Sequence, residues 1–121
     1  MNSKDIAELV VGSLDKHKAE DIQIIGIRDL TVIADYFVIA TGTSSTQVKA
    51  LADYVEAELE EKEIKPQRVE GYPSARWILI DYGSVVVHVF FTETREFYNL
   101  ERLWKDGQHL DLAEFIDVKP E

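Results

Sequence analysis

Apolar residues recur every three or four positions in two stretches of the chain, and this spacing predicts two amphipathic helices. The first helix runs from a cap at Ser3 to about residue 18. The second follows Ser44, which forms with Gln47 the S-x-x-Q pattern of a capping box. Its apolar side carries Val48, Leu51, Ala52, Val55 and Leu59. Its other side is strongly acidic, which is typical of a solvated face.

Five shorter stretches are rich in β-branched and aromatic residues and predict strands. They cover residues 22–27, 36–41, 67–71, 76–82 and 85–91. The second, YFVIAT, is apolar almost throughout, which implies burial on both faces. Turn signals separate the last three, which predict an antiparallel meander with a tight Gly83-Ser84 connection. The order of elements predicts one mixed α/β domain with a five-stranded sheet flanked by helices. We expect this domain to span residues 1–105 and to be followed by an acidic, partly docked tail at 106–121.

The charge balance narrows the choice of partners. The chain has 121 residues, 13 basic and 23 acidic, and a formal net charge of −10. This balance argues against nucleic-acid binding through a broad basic face, because phosphate neutralisation dominates such affinity. It favours a basic protein partner, or serves solubility alone. With no cysteine, no secretory pattern at its start and no apolar run long enough to span a bilayer, the chain is expected to be soluble and cytoplasmic.

A search for catalytic chemistry finds no convincing active site. The Gly42-Thr43-Ser44-Ser45 turn lies between a buried strand and a helix start, where anions can bind, but it lacks the pattern of a P-loop. The three histidines have no metal-binding spacing, and His88 is more consistent with a hydrogen-bonded residue in a central strand than with a base. Asp35 and Asp81 stand at strand ends but belong to no carboxylate pair, so two-metal phosphoryl transfer lacks its ligands.

Aromatic side chains give the stronger signal of a binding surface. In residues 76–82, alternation places Trp77, Leu79 and Asp81 on one face of a strand. If the opposite face is the core, Trp77 and Leu79 project outward beside a carboxylate. Tryptophan and tyrosine often dominate interfaces. Tyr98 and its neighbour Phe97 cannot both point into a core from one helix, so one of them is expected to be presented. From these residues alone, a core role for all the aromatics stays equally open.

Several of these segments together resemble the RsfS/Iojap family of ribosomal silencing factors. The resemblance extends over about residues 3–105 and is most specific in ADYFVIATGTS at 34–44 and FYNLERLW at 97–104. It continues through VEG at 69–71, WILIDYG at 77–83 and VVVHVF at 85–90.

The resemblance implies a fold like that of the nucleotidyltransferases without their catalytic carboxylates, and no enzymatic activity, cofactor or metal. It implies binding to the large ribosomal subunit through its ribosomal protein number fourteen, little direct contact with nucleic acid, and a steric block to joining of the small subunit when nutrients are short. The family's binding surface maps in this sequence to Glu70, Trp77, Leu79, Asp81, Tyr98 and Leu100.

Two alternatives remain at the level of the sequence. The chain could be a degenerate or active nucleotidyltransferase that uses the Gly42–Ser45 turn with Asp35 or Asp81. Alternatively, Trp77 and Tyr98 could form the interface of a homodimer in the free protein, so that dimerisation covers the ribosome-binding surface.

Overall fold

The computed structural model describes residues 2–27, 34–98 and 108–109, with residues 96–98 and 108–109 described by their backbone alone. Three helices and six strands follow one another along these residues. They are α1 (Ser3–Lys16), β1 (Glu20–Gly26), β2 (Tyr36–Gly42), α2 (Ser45–Glu60), β3 (Arg68–Glu70), β4 (Trp77–Asp81), β5 (Val85–Phe91), α3 (Thr92–Tyr98) and β6 (Gln108–His109).

The strands form one mixed sheet in the order β3-β4-β5-β2-β1-β6. β2 and β5 run parallel at its centre, and every other neighbouring pair is antiparallel. All five predicted strands are present, and the predicted meander of the last three is confirmed. β6 consists of two residues of the predicted acidic tail and adds a sixth strand beside β1. The rest of that tail lies outside the described residues.

Helices α1 and α2 cover one face of the sheet, called here the inner face, and the main core lies between them. The period-four stripe of α2 supplies Leu51, Val55 and Leu59, which are buried together with Val10 and Leu14 of α1. Strands contribute the apolar side chains that alternate toward this face. Burying such side chains gives roughly 1.5–3 kcal/mol each, so this layer dominates the stability of the fold.

A polar cluster fastens α1 to α2 at the edge of this core. The Glu58 carboxylate accepts hydrogen bonds from Ser13 and His17, both at 2.9 Å, and Lys16 lies 3.6 Å away. Desolvation raises the pKa of Glu58, but these donors and charges outweigh it and leave the pKa below its ordinary value. His17 is also the C-cap residue of α1, and its ring stacks on Tyr54.

The opposite face of the sheet, called here the outer face, carries a second and smaller apolar cluster. Ile39 of β2 and Phe90 of β5 are fully buried there, while Phe37, Trp77 and Leu79 are half-buried around them. The two faces therefore alternate along each central strand, as the sequence of β4 predicts.

Two predicted details of the helices differ in the structure. Asn2, and not Ser3, caps α1, because its side chain accepts the backbone N–H of Asp5. The Ser44 hydroxyl accepts the Gln47 N–H as predicted, but the Gln47 side chain accepts the backbone N–H of Thr43, one residue before the usual capping-box partner. None of the helices in the described part of the chain is long and apolar enough to cross a membrane.

Candidate functional site

The outer face of β4 places the predicted binding residues in one row. Ile78 and Ile80 are fully buried on the inner face, so Trp77, Leu79 and Asp81 point to the outer face, as predicted. Trp77 and Leu79 are half-buried and pack against the smaller cluster. They therefore combine the two roles that the sequence left open, since each supports the outer cluster and still presents part of its side chain.

The edge strand β3 adds charged side chains beside this row. Glu70 pairs with Leu79 across β3 and β4, and Arg68 pairs with Asp81. The Arg68 guanidinium donates to both the Asp81 and the Glu70 carboxylates at 3.2 Å. The other Asp81 oxygen accepts the backbone N–H of Gly83 at 2.7 Å. These contacts hold two carboxylates and one guanidinium beside the apolar Trp77–Leu79 pair.

Below Trp77 lies an aromatic layer built by β5 and β2. The indole stacks on Phe90, which is its direct partner across β4 and β5, with ring centres 4.9 Å apart. Its Nε1–H donates to Nδ1 of His88 at 3.0 Å. The His88 ring meets Phe37 edge-on at 4.8 Å. His88 is thus buried and hydrogen-bonded in a central strand, as predicted, but its partner is the candidate binding residue.

Helix α3 begins at the end of the same face. Its Thr92 hydroxyl donates to the Gly42 carbonyl, and its buried Arg95 donates to the Thr41 hydroxyl at 2.7 Å. Arg95 also donates to the backbone carbonyl of Asp21 and lies 3.3 Å from its carboxylate. Tyr98 is the last residue of this helix.

The side chain of Tyr98 and the whole of Leu100 lie outside the described residues, so both assignments stay predictions. The structure brings the other four predicted residues, Glu70, Trp77, Leu79 and Asp81, together on β3 and β4.

The Gly42–Ser45 turn is tied to the first turn of α2. The Thr43 N–H and hydroxyl donate to the Gln47 side chain at 2.6 and 3.0 Å, and the Ser44 hydroxyl accepts the Gln47 N–H. A Cβ at Gly42 would lie 2.9 Å from the Val48 side chain, so the glycine is explained by the close approach of α2. Among the described residues, no group of three or more histidines and carboxylates is arranged to hold a metal ion.

Sequence reasoning missed the role of Arg68 and the contact between His88 and Trp77. The predicted Gly83-Ser84 turn was enough to predict the contact between His88 and Trp77. A two-residue connection places Trp77 opposite Phe90 and Leu79 opposite His88, which makes Trp77 and His88 diagonal neighbours.

Comparison with known proteins gives a consistent family. The family model described as "Ribosomal silencing factor during starvation" matches residues 1–121. The chain is 41% identical to the ribosomal silencing factor of Halalkalibacterium halodurans, covering 96% of this chain and 99% of that protein. It is also 41% identical to that of Bacillus subtilis, covering 93% and 95%.

More distant relatives and solved structures agree. A mouse protein named for mitochondrial assembly of the ribosomal large subunit is 33% identical, covering 80% of this chain and 44% of that protein. A crystal structure of a Chromobacterium violaceum protein superposes with a TM-score of 0.85 at 35% identity, covering 98% of this chain and 95% of that one.

Proposed function

Since the chain belongs to the family of ribosomal silencing factors, we propose that it binds the large ribosomal subunit in the cytoplasm and keeps the small subunit from joining. Translation would fall as a result, and the words "during starvation" in the family's description support a response to starvation. The mouse relative's name, which refers to the ribosomal large subunit, supports the same partner.

The contact we propose is with large-subunit ribosomal protein fourteen, through the row formed by Glu70, Trp77, Leu79 and Asp81. The observation that supports it most is the half-buried Trp77, which joins an apolar anchor to two neighbouring carboxylates on the outer face of the sheet. Interfaces are commonly built in this way, with an aromatic centre and a polar rim. Tyr98, the last residue of α3, and Leu100, two positions further along the chain, would extend the surface.

The acidic balance of the chain suits such a partner. Ribosomal proteins are generally basic, and a net charge of −10 would speed and orient the encounter. Glu70 and Asp81 already share Arg68, so part of their charge is neutralised at the surface itself. Attraction over distance would therefore come from the whole molecule, and close-range affinity from Trp77 and Leu79.

The mechanism we propose is steric occlusion and involves no chemical step. At the phosphate-site candidate of the sequence, the turn at Gly42, the Thr43 N–H and hydroxyl already donate to the Gln47 side chain. Asp81 is bound to Arg68 and to the Gly83 N–H, an arrangement that serves a turn and a surface. A specific interface of on the order of 1,000 Å² would be enough to occupy the docking surface of the other subunit.

Co-sedimentation with separated ribosomal subunits tests this proposal. The wild-type protein is expected to pellet with large subunits alone and to lower the fraction of joined ribosomes when small subunits are added. Trp77→Ala should weaken binding about 30-fold, because truncation of an aromatic anchor commonly costs about 2 kcal/mol. A circular dichroism melt checks that the variant is folded.

Tyr54→Ala is the matched control, since Tyr54 is 46% exposed on α2, on the other side of the sheet. It should bind as the wild type does. Normal binding by a folded Trp77→Ala protein would remove Trp77 from the interface. Failure of the wild-type protein to bind large subunits would remove the proposed function.

A further inference from the structure

His88 is an unusual residue for the centre of a sheet. It lies on β5, only 4% exposed, between the indole of Trp77 and the ring of Phe37. Its strand neighbours Val87 and Val89 are apolar and fully buried. An apolar side chain would fill the same space without a polar atom, so the histidine calls for an explanation.

The hydrogen bond from Trp77 determines which nitrogen of His88 carries the proton. An indole N–H can only donate, so Nδ1 must accept and the neutral ring carries its hydrogen on Nε2. Burial lowers the pKa of His88 to about 4, which keeps the ring neutral at physiological pH. The acceptor that Trp77 needs is therefore present in the folded protein at physiological pH.

The other ring nitrogen of His88, Nε2, makes no hydrogen bond in this arrangement of the described residues. Nε2 is buried and has no hydrogen-bond partner among the described residues. A buried donor without an acceptor lowers stability. His88 thus satisfies Trp77 and leaves its own second nitrogen unsatisfied, a local conflict of the kind that proteins keep at functional sites.

We propose that His88 is a positioning residue that fixes the orientation of the Trp77 indole on the outer face before the ribosomal partner arrives. Phe90 supports the flat side of the indole, and His88 fixes its rotation through the Nε1–H. Fixing a side chain in its bound orientation raises affinity, because less freedom is lost on association. The inference rests on the proposed function only in that Trp77 must contact the partner.

Two substitutions separate positioning from packing. His88→Asn keeps an acceptor, because the asparagine oxygen is as many bonds from Cα as Nδ1 is, but it leaves a cavity and a buried amide. His88→Phe keeps an aromatic ring and removes both the acceptor and the unsatisfied donor. We expect His88→Phe to melt at or above the wild-type temperature but to bind large subunits about five- to tenfold more weakly, the value of one ordinary hydrogen bond. His88→Asn should melt lower and bind more tightly than His88→Phe.

A double-substitution cycle provides the decisive comparison. Trp77→Phe removes the indole N–H, so adding His88→Phe to it should weaken binding no further. A purely structural role of His88 would weaken binding equally in both backgrounds. Equal losses would overturn the proposal.

Nuclear magnetic resonance of the indole N–H gives a readout independent of the ribosome. The Trp77 signal, assigned by its loss in Trp77→Phe, should shift and exchange faster with water in His88→Phe, but stay near the wild-type position in His88→Asn. An unchanged signal in His88→Phe would overturn the proposal even if Trp77 contacts the ribosome. If Trp77→Ala binds normally while the indole signal responds as expected, the proposed interface fails and His88 still fixes the indole.

Discussion

Side chains of β4 lie in two environments, the buried inner face and the half-buried outer face, and substitutions in them should differ in their cost to stability. Ile78 and Ile80 are fully enclosed, so their replacement by alanine would leave cavities that cost about 2–5 kcal/mol each. Trp77 and Leu79, one position away, are half-buried, and truncation there would remove less packing. Surface variants on β4 can therefore be studied in a folded protein.

The stability of the protein should depend on pH through His88. Its pKa is about 4 in the folded chain and about 6.5 when unfolded, so between these values the unfolded chain binds the proton more readily. Stability should fall as the pH drops below about 6.5, with a loss on the order of 3 kcal/mol complete below about 4. Urea denaturation of wild type and His88→Phe across this range measures the difference.

Titration of Glu58 should not affect the comparison of wild type with His88→Phe. Its folded pKa lies below the ordinary value of 4.5, so its contribution is present above that pH and is lost only as the pH falls through the folded value. Glu58 is also common to both proteins. Identical pH profiles for wild type and His88→Phe would show that the His88 ring titrates normally.

Helix α3 is tied to the sheet by a few polar contacts. It has seven residues, too few for stability of its own, and Arg95 ties it to β1 and β2. Replacing Arg95 by methionine should cost about 2 kcal/mol, since the Asp21 carbonyl and the Thr41 hydroxyl lose a charged donor.

Binding to large subunits should weaken in Arg95→Met as well, because α3 leads into the segment with Tyr98 and Leu100. Thermal melts and co-sedimentation measure the two effects, with the exposed Lys62→Met as the control. Unchanged binding by a destabilised Arg95→Met protein would show that this segment does not contribute to the interface.

Elements were predictable where the signal lies within a few neighbouring residues. The alternation of β4, the Ser44 cap and the apolar stripe of α2 all follow from spacing. The Arg95–Asp21 contact could not be predicted, because it joins residues 74 positions apart at an irregular point of β1 where Asp21 has a positive φ of 47°. The Trp77–His88 contact was partly predictable, since the register of one hairpin is enough to bring these two residues together.

At the scale of the whole molecule, charge should act on the rate of encounter. With a net charge of −10, association with a basic partner is expected to slow by about tenfold or more between low and physiological salt, while dissociation changes little. Surface plasmon resonance with the basic partner itself, immobilised ribosomal protein fourteen, measures both rates. Glu60→Gln with Glu61→Gln, on the helix side, should reduce the association rate and leave dissociation unchanged. A faster dissociation of this variant would instead place α2 in the contact.

The family resemblance in the sequence supplied the proposed surface as a list of residues, but their arrangement required the fold. Glu70 and Asp81 lie 11 positions apart in the chain, and only the pairing of β3 with β4 gives them a common guanidinium. A guanidinium between two carboxylates is a tertiary feature, and no local spacing indicates it.

The edge of the sheet at β3 has a consequence for how the protein behaves when it is abundant. β3 has three residues and is charged at both ends, whereas its neighbours β4 and β5 have five and seven. Long unpaired edges are what templates the addition of foreign strands and the growth of fibrils. Copies at high concentration would therefore have few backbone groups at this edge with which to add to one another. Self-association through side chains of the outer face would instead compete with the proposed binding to the large subunit.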